Sequence, residues 1–455
     1  MIKVNRATIT VAGATRELLD DLTVFRRKGI RDFGEFEKLY SVSHRGDAIA
    51  TLPGFLERIM RHLEDYAVKD ERQPMPDPDM ANAMKNVPAI FRGIVGDVIR
   101  AEGGVVNIPD IFGVAGFAAA IIRAYSHEEL LMRGTPITVV AARDSRRARH
   151  LGRELKALIP DRELGVGYST KSDDVIVLPY SSIKNIKMHQ VGVFIGEVDE
   201  LGSLKYATQV AEGVSSIRNA VRFGVISTST GLMVGDDIDR AVEGMFGPLR
   251  GTASYKDAVD NGIGVPVTVC WLKCPHPATA WGTAPFRVLQ SWALEKNKGT
   301  MSMIEKIMRL VPRDVGCIAY TSSDDFVKEM CNTITGIPWT SKRMRERERE
   351  IVNDDLERGI KKKAVVSYGY GPFRSDIGVM VVATCEGRGV ASVIPWRNLV
   401  NKGDRAYVVE FSHEWDCHNG RPGVIARNDE ARRRMYAELG FRQISVPDVD
   451  QLPFL

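Results

Sequence analysis

Few residues in this 455-residue chain stand at spacings that chemistry requires. Glu197, Asp199 and Glu200 crowd the end of an apolar stretch, Val193-Phe194-Ile195. Carboxylates so placed suit general acid–base work, although adjacent residues of a strand point to opposite faces. Cys270-x3-Cys274-Pro275-His276 and His413-x3-Cys417-His418 invite a zinc reading. Neither has finger spacing, so buried thiols and surface histidines are the simpler account and no metal is expected. Arg143, Arg146, Arg147, Arg149, Arg153 and Lys156 form a basic run. Such a run either grips a nucleic-acid backbone or forms a solvated helix face, with Asp144 and Glu154 in partial compensation. Lys342 to Glu350 alternates in sign, which suits a salt-bridged helix surface, and Arg432-Arg433-Arg434 reads first as a solvated face. No Gly-x4-Gly-Lys-Ser/Thr occurs, and no Ser/His/Asp or Cys/His arrangement has local sequence support.

These residues are carried by a chain of ordinary globular composition, 44% hydrophobic and 26% charged, which excludes collagen-like and mainly disordered classes. The net charge of +4 is too small to announce a nucleic-acid binder by itself. The six cysteines lie far apart, which is no disulfide framework and suits a reducing compartment. The start has no signal-peptide layout and no apolar run approaches membrane-spanning length, so a soluble protein is expected.

Ile2 to Val11 alternates like a strand, and Leu56 to Leu63 has helical spacing. The Pro-rich stretch Gln73 to Asp79 marks a boundary. Beyond it, short apolar runs alternate with amphipathic stretches. Gly104–Ile108, Ile137–Ala142, Asp174–Leu178, Val191–Ile195 and Phe223–Ile226 read as strands, with helices over Ala118–Tyr125 and Ser145–Leu158. The pattern restarts at Val265–Val269, followed by strands at Gly316–Tyr320, Ala364–Ser367, Gly378–Ala383 and Ala406–Phe411. Helices fall at Phe326–Ile334 and Glu348–Arg358. No sequence repeat relates the two halves. Strands alternating with helices predict parallel sheets covered on both faces.

Taken in order, the motifs resemble those of superfamily 2 helicases, and most nearly the tailed-phage type that remodels branched DNA. The resemblance covers essentially the whole chain. In that family a strand leads to Pro-Thr-Gly-x-Gly-Lys-Thr and an apolar helix. Here the segment reads Pro109-Asp110-Ile111-Phe112-Gly113-Val114-Ala115, with Val114 at the phosphate lysine and Ala115 at the magnesium hydroxyl. The Asp-Glu-x-His signature becomes Gly196-Glu197-Val198-Asp199, which loses the metal aspartate and keeps Glu197. Ser-Ala-Thr becomes Ser227-Thr228-Ser229. Asn261 to Pro266 resembles the bridge between motor domains, and Ala431 to Phe441 the closing helix. The window Ser392 to Lys402 should carry the arginine fingers, but Arg397 and Lys402 are its only cations.

The resemblance implies an α/β fold: a small N-terminal α+β domain over 1–88, then two tandem RecA-like parallel-sheet domains over 89–262 and 263–455. Phosphoryl transfer depends on positioned charge, and four losses in one pocket remove it. The leading expectation is therefore a catalytically inactive, helicase-like viral protein, a structural or docking component of a phage particle or nucleoprotein complex. Its vestigial positions would be Gly113, Val114, Ala115, Gly196, Glu197 and Ser227. No cofactor is expected, and ATP with magnesium enters only if the chain is an active, divergent DNA helicase. A third reading is a DNA-binding accessory factor using Arg143, Arg146, Arg147, Arg149 and Arg153. The implied partners are viral structural or nucleoprotein-complex proteins and DNA, with no membrane, in the virion or host cytoplasm.

Overall fold

In a computed structural model the chain divides into two compact units, Met1–Ala253 and Ser254–Leu455. The structure describes all residues except 7, 27–34, 44–45, 64–65, 73, 168–173, 187, 199–212, 215–216, 218, 228–235, 278–284, 335, 369, 373–375, 388–398, 400–404, 419–420 and 455. Asp199, Glu200, Thr228, Ser229, Arg397 and Lys402 lie outside the described residues.

The first unit opens with a five-stranded mixed sheet: β1 (Ile2–Val4), β2 (Ile9–Ala12), β3 (Tyr40–Val42), β4 (Ala48–Thr51) and β5 (Val68–Asp70), in the order β3-β4-β2-β1-β5. The alternating segment Ile2 to Val11 is thus a hairpin and not one strand. Asn5 turns it, its Oδ1 accepting from the Thr8 amide at 2.7 Å. The alternation survives the turn, and Ile2, Val4, Ile9 and Val11 all face one core with Phe55 and with Ile59 of helix α1 (Leu56–His62).

A seven-stranded sheet follows, every strand parallel to its neighbours: β6 (Gly103–Asn107), β7 (Ile137–Ala142), β8 (Leu164–Val166), β9 (Val175–Pro179), β10 (Val191–Glu197), β11 (Val221–Ile226) and β12 (Leu249–Thr252). Their order is β8-β9-β7-β10-β11-β6-β12. The central strands are continuous apolar runs because helices cover both faces, so neither face wants polar residues. The helices that matter here are α2 (Ala89–Arg100), α3 (Gly113–Ala124), α4 (Ser145–Leu158) and α5 (Asp236–Phe246).

The second unit repeats the plan with β13 (Val267–Lys273), β14 (Cys317–Thr321), β15 (Trp339–Thr340), β16 (Lys363–Ser367), β17 (Val379–Ala383), β18 (Ala406–Ser412) and β19 (Arg442–Val446). Their order, β15-β16-β14-β17-β18-β13-β19, is the order of the first parallel sheet strand for strand, again all parallel. The closing helix α6 (Val424–Glu438) packs beside β18 and β19. Among the described residues no helix is long and apolar enough to cross a membrane.

Candidate functional site

Strand β6 delivers the chain to the loop Ile108–Phe112, and α3 carries it away. This is the strand–loop–helix arrangement in which a phosphate-binding loop aims backbone amides at an anion. Here the amides turn inward. Ile108 N donates to Ile226 O at 2.9 Å, while Phe112 N and Gly113 N both donate to Pro109 O, at 3.0 and 3.1 Å. Gly113 has φ +61°, the left-handed conformation that favours glycine, which lets the loop pass into the helix. The Phe112 ring stacks on Phe91 of α2, with centroids 5.0 Å apart. It also covers Gly116, where an added Cβ would come within 2.7 Å of the ring. Val114 is 1% exposed, inside the core. The structure thus brings Gly113, Val114 and Ala115 together at the start of α3, on a loop folded against an aromatic pair.

Glu197 ends β10 on the face covered by α4. Arg147 of α4 donates from Nε to Glu197 Oε1 at 2.7 Å, with both residues buried. Burial by itself pushes the Arg147 pKa down, but Glu197, then Glu154 and Asp110, hold the guanidinium above its ordinary value. Asp144 caps α4 through its Oδ1, which accepts from the Arg147 amide at 2.9 Å. The Glu197 carboxylate is therefore committed to a buried ion pair. Its partner is a residue assigned above to nucleic acid, and Arg147 has to be removed from that set because it points into the core.

Gly196 precedes Glu197 in β10. The pleat turns it to the other face, where an added Cβ would lie 2.4 Å from Phe246 Cζ and 2.5 Å from Tyr180 Oη. Tyr180 is fixed there, its hydroxyl donating to Glu197 O at 3.0 Å. A carboxylate at 196 would meet the α5 layer rather than Glu197's side of the sheet. Ser227 is buried just past β11, and the two residues that complete its motif lie outside the described residues.

Helical spacing separates the rest of the basic run. Arg149, Arg153 and Lys156 are exposed, Arg146 and Arg143 are half-buried, and Arg143 Nε lies 3.0 Å from Asp144 Oδ2. An exposed basic stripe remains on α4, narrower than the sequence suggested.

Among the described residues of the second unit the local Cys/His spacings form no site. The structure gathers residues distant in sequence instead. His413 Nδ1 lies 3.1 Å from Asp429 Oδ1 of α6, and its Nε2 lies 3.9 Å from Cys385 Sγ. Cys274 bonds Thr300, with Sγ to Oγ1 3.3 Å. Burial would push the His413 pKa down, but Asp429 and the two thiols hold it well above its ordinary value. Among the described residues no group of three or more His, Cys, Asp or Glu side chains is placed to hold a metal ion. Arg432 is no solvated cation either. Fully buried, it pairs with Glu410 at 3.1 Å and Asp429 at 2.9 Å, and Tyr436 Oη donates to the same Glu410 at 2.7 Å. Arg433 lies over the Trp271 ring, 3.9 Å from its centroid. Only long-range pairing reveals this network, so no local signal could have disclosed it.

ATP with magnesium, the pair that the family resemblance implies, does not fit these residues. The Ile108, Phe112 and Gly113 amides are spent, the lysine position is a buried valine, and the surviving glutamate is held by Arg147.

No protein-family model matches the sequence, and no curated protein matches it. Solved structures do match in fold. S. cerevisiae Dbp5 L327V bound to RNA and ADP BeF3 aligns over 82% of this chain and 95% of that chain, at 9% identity and a TM-score of 0.55. The helicase MrfA bound to DNA aligns over 84% of this chain and 53% of that chain, at 10% identity and a TM-score of 0.50. T4 UvsW aligns over 98% of this chain and 99% of that chain, at 12% identity and a TM-score of 0.40. With two parallel sheets of identical strand order behind a small mixed sheet, the chain has the fold of the superfamily 2 helicases.

Proposed function

We propose that this chain is a pseudo-helicase: a protein that keeps the helicase fold without the ATPase reaction and serves as a structural or docking component of a viral particle or nucleoprotein complex. The observation that carries the reading is the buried Arg147–Glu197 pair, which holds the one surviving catalytic-type carboxylate. A phosphoryl-transfer site needs a cation and a metal aimed at the phosphates and a carboxylate free to orient water. Here the cation sits on the carboxylate, and Phe112 packs against Phe91 beside the loop. The viral setting rests on the sequence resemblance alone.

The test is ATP binding and hydrolysis with magnesium, with and without branched DNA. Neither binding nor turnover is expected. Turnover stimulated by DNA would overturn the proposal in favour of a divergent active helicase.

A second reading, DNA binding without catalysis, is favoured by the exposed stripe Arg149, Arg153 and Lys156 on α4. The nucleic acids bound by MrfA and Dbp5 lend it support. Arg149→Glu with Arg153→Glu should weaken salt-dependent DNA binding and flatten its salt slope by about two phosphate contacts. Unchanged affinity and slope would sink this reading.

A further inference from the structure

The residues around the opposite, N-terminal ends of β6 and β11 line a half-open cavity of about 390 Å³ within the first unit. Gly103 and Arg222 contribute from the strands, Gly247 and Arg250 from the chain after α5, and Arg6 and Arg72 from the leader. Three of the four arginines have carboxylate partners. Arg6 pairs with Glu102 at 2.7 Å, Arg72 with Asp70 at 2.5 Å, and Arg250 with Glu57.

Arg222 is different. It is 5% exposed, and its Nη2 donates to the Ile217 carbonyl at 2.8 Å. Its Nε and Nη1 are buried without a partner, as is the Nε of Arg250. Among the described residues no carboxylate pairs with Arg222. Burial, and then the like charge of Arg6, push its pKa down to about 10. Glycine makes room for the arrangement. At Gly104 an added Cβ would lie 2.6 Å from Arg250 Cγ, so only glycine lets that side chain lie across the strand.

A buried guanidinium without a counter-charge is expensive, and donors left unmade add to the cost. Both costs are offset when an anion enters. We propose that this cavity is a binding site for a phosphoryl anion, held by the unpartnered N–H groups of Arg222 and Arg250. Arginine suits that ligand because its planar donors match phosphate oxygens. The space exceeds what a single carboxylate needs. The source is either a free polyphosphate or the phosphate of a nucleic-acid strand. The site is independent of the silent phosphate loop, which lies at the other ends of these strands.

The experiment titrates inorganic tripolyphosphate into the full chain by calorimetry, with thermal melting in parallel. Wild type should bind and melt higher as the anion is added. Arg222→Met should bind about tenfold or more weakly. It should also melt higher than wild type in the absence of anion, because an uncompensated buried charge is gone. A merely structural arginine would give the opposite melting shift. Displacement of tripolyphosphate by a single-stranded oligonucleotide would identify backbone phosphate as the source, and its absence a free anion. Failure of wild type to bind, or binding by Arg222→Met at wild-type strength, would overturn the proposal. If Arg222→Met does not fold, Arg250→Gln carries the same test from the rim of the cavity.

Discussion

At the residue scale the decisive pair is Arg147 and Glu197. Both are buried, and Arg147 Nη2 lies 2.7 Å from Glu197 Oε1. Removing one leaves the other a buried charge without its 2.7 Å partner, so Arg147→Met or Glu197→Leu should each cost about 3–5 kcal/mol, measured by denaturant unfolding. The double replacement Arg147→Met with Glu197→Leu should recover most of that loss, because two apolar side chains need no counter-charge. Additive losses in the cycle would show that the pair is not coupled as its 2.7 Å contact implies. The same geometry predicts that Val114→Lys with Ala115→Thr will not restore nucleotide binding. The new lysine would start from a position 1% exposed and should lower stability, with no gain in ATP affinity by calorimetry. The substitutions at Val114 and Ala115 are plain in the sequence, since a missing cation is a property of residue type. That Arg147 supplies a cation to Glu197 is not, because the two are brought together only when α4 packs on β7, β8 and β9 and Arg147 reaches the end of β10. The sequence places Arg147 in a basic run, and helical periodicity turns it inward while Arg149 and Arg153 turn out.

At the element scale, the strands buried on both faces are those that read clearly as apolar runs: β7, β9, β10, β11, β13, β16, β17 and β18. In the two parallel sheets, those that escape sequence reading, β8, β12, β15 and β19, are edge strands. They are short or carry polar residues such as Arg250, Arg442 and Gln443, because an edge need not be apolar throughout. Helix α6 shows the reverse problem. Its basic look hides a buried seam in which Asp429 and Arg432 meet His413 and Glu410. That seam gives a pH prediction. His413 is held above its ordinary pKa by Asp429, so its contribution to stability is complete below the unfolded value, about 6.5, and declines as pH climbs through the raised folded value. Asp429 is held below its ordinary value: burial pushes it up, but His413 and Arg432 outweigh that. Its contribution is therefore present above about pH 4 and fades as pH falls further. Cys274, Cys385 and Arg432 face the same pair and keep the charges coupled. Denaturant unfolding across pH 3–10 should show a plateau with both shoulders in wild type, and Asp429→Asn should lower the plateau and remove the alkaline decline. A wild-type curve flat above neutrality would contradict the pair.

At the scale of the whole molecule, two sheets share one strand order although no sequence repeat relates them. Topology is fixed by where apolar runs and crossovers fall, and many sequences satisfy that pattern. The likeness of the two halves is therefore legible as alternation and invisible as identity. The junction between them is subtler. Sequence resemblance places the bridge at Asn261–Pro266, whereas the compact units meet at Ala253 and Ser254, and the helix Tyr255–Asp260 goes with the second. The reason is Tyr255. It is 1% exposed, its ring meets Phe441 edge-on at 5.2 Å, and its hydroxyl donates to Val265 O at 3.1 Å. Ser254 starts that helix with a capping box to Asp257. A chain beginning at residue 263 lacks all of this and leaves an aromatic-sized void beside Phe441 and Tyr436, which stack on each other. The fragments 254–455 and 263–455 should therefore differ in stability by about 3–5 kcal/mol, the cost of emptying one large buried aromatic site. Within 254–455, Tyr255→Ala should account for most of that difference. Equal unfolding midpoints for the two fragments would place the structural boundary at the bridge instead, and the helix would then be a connector that the second sheet does not need.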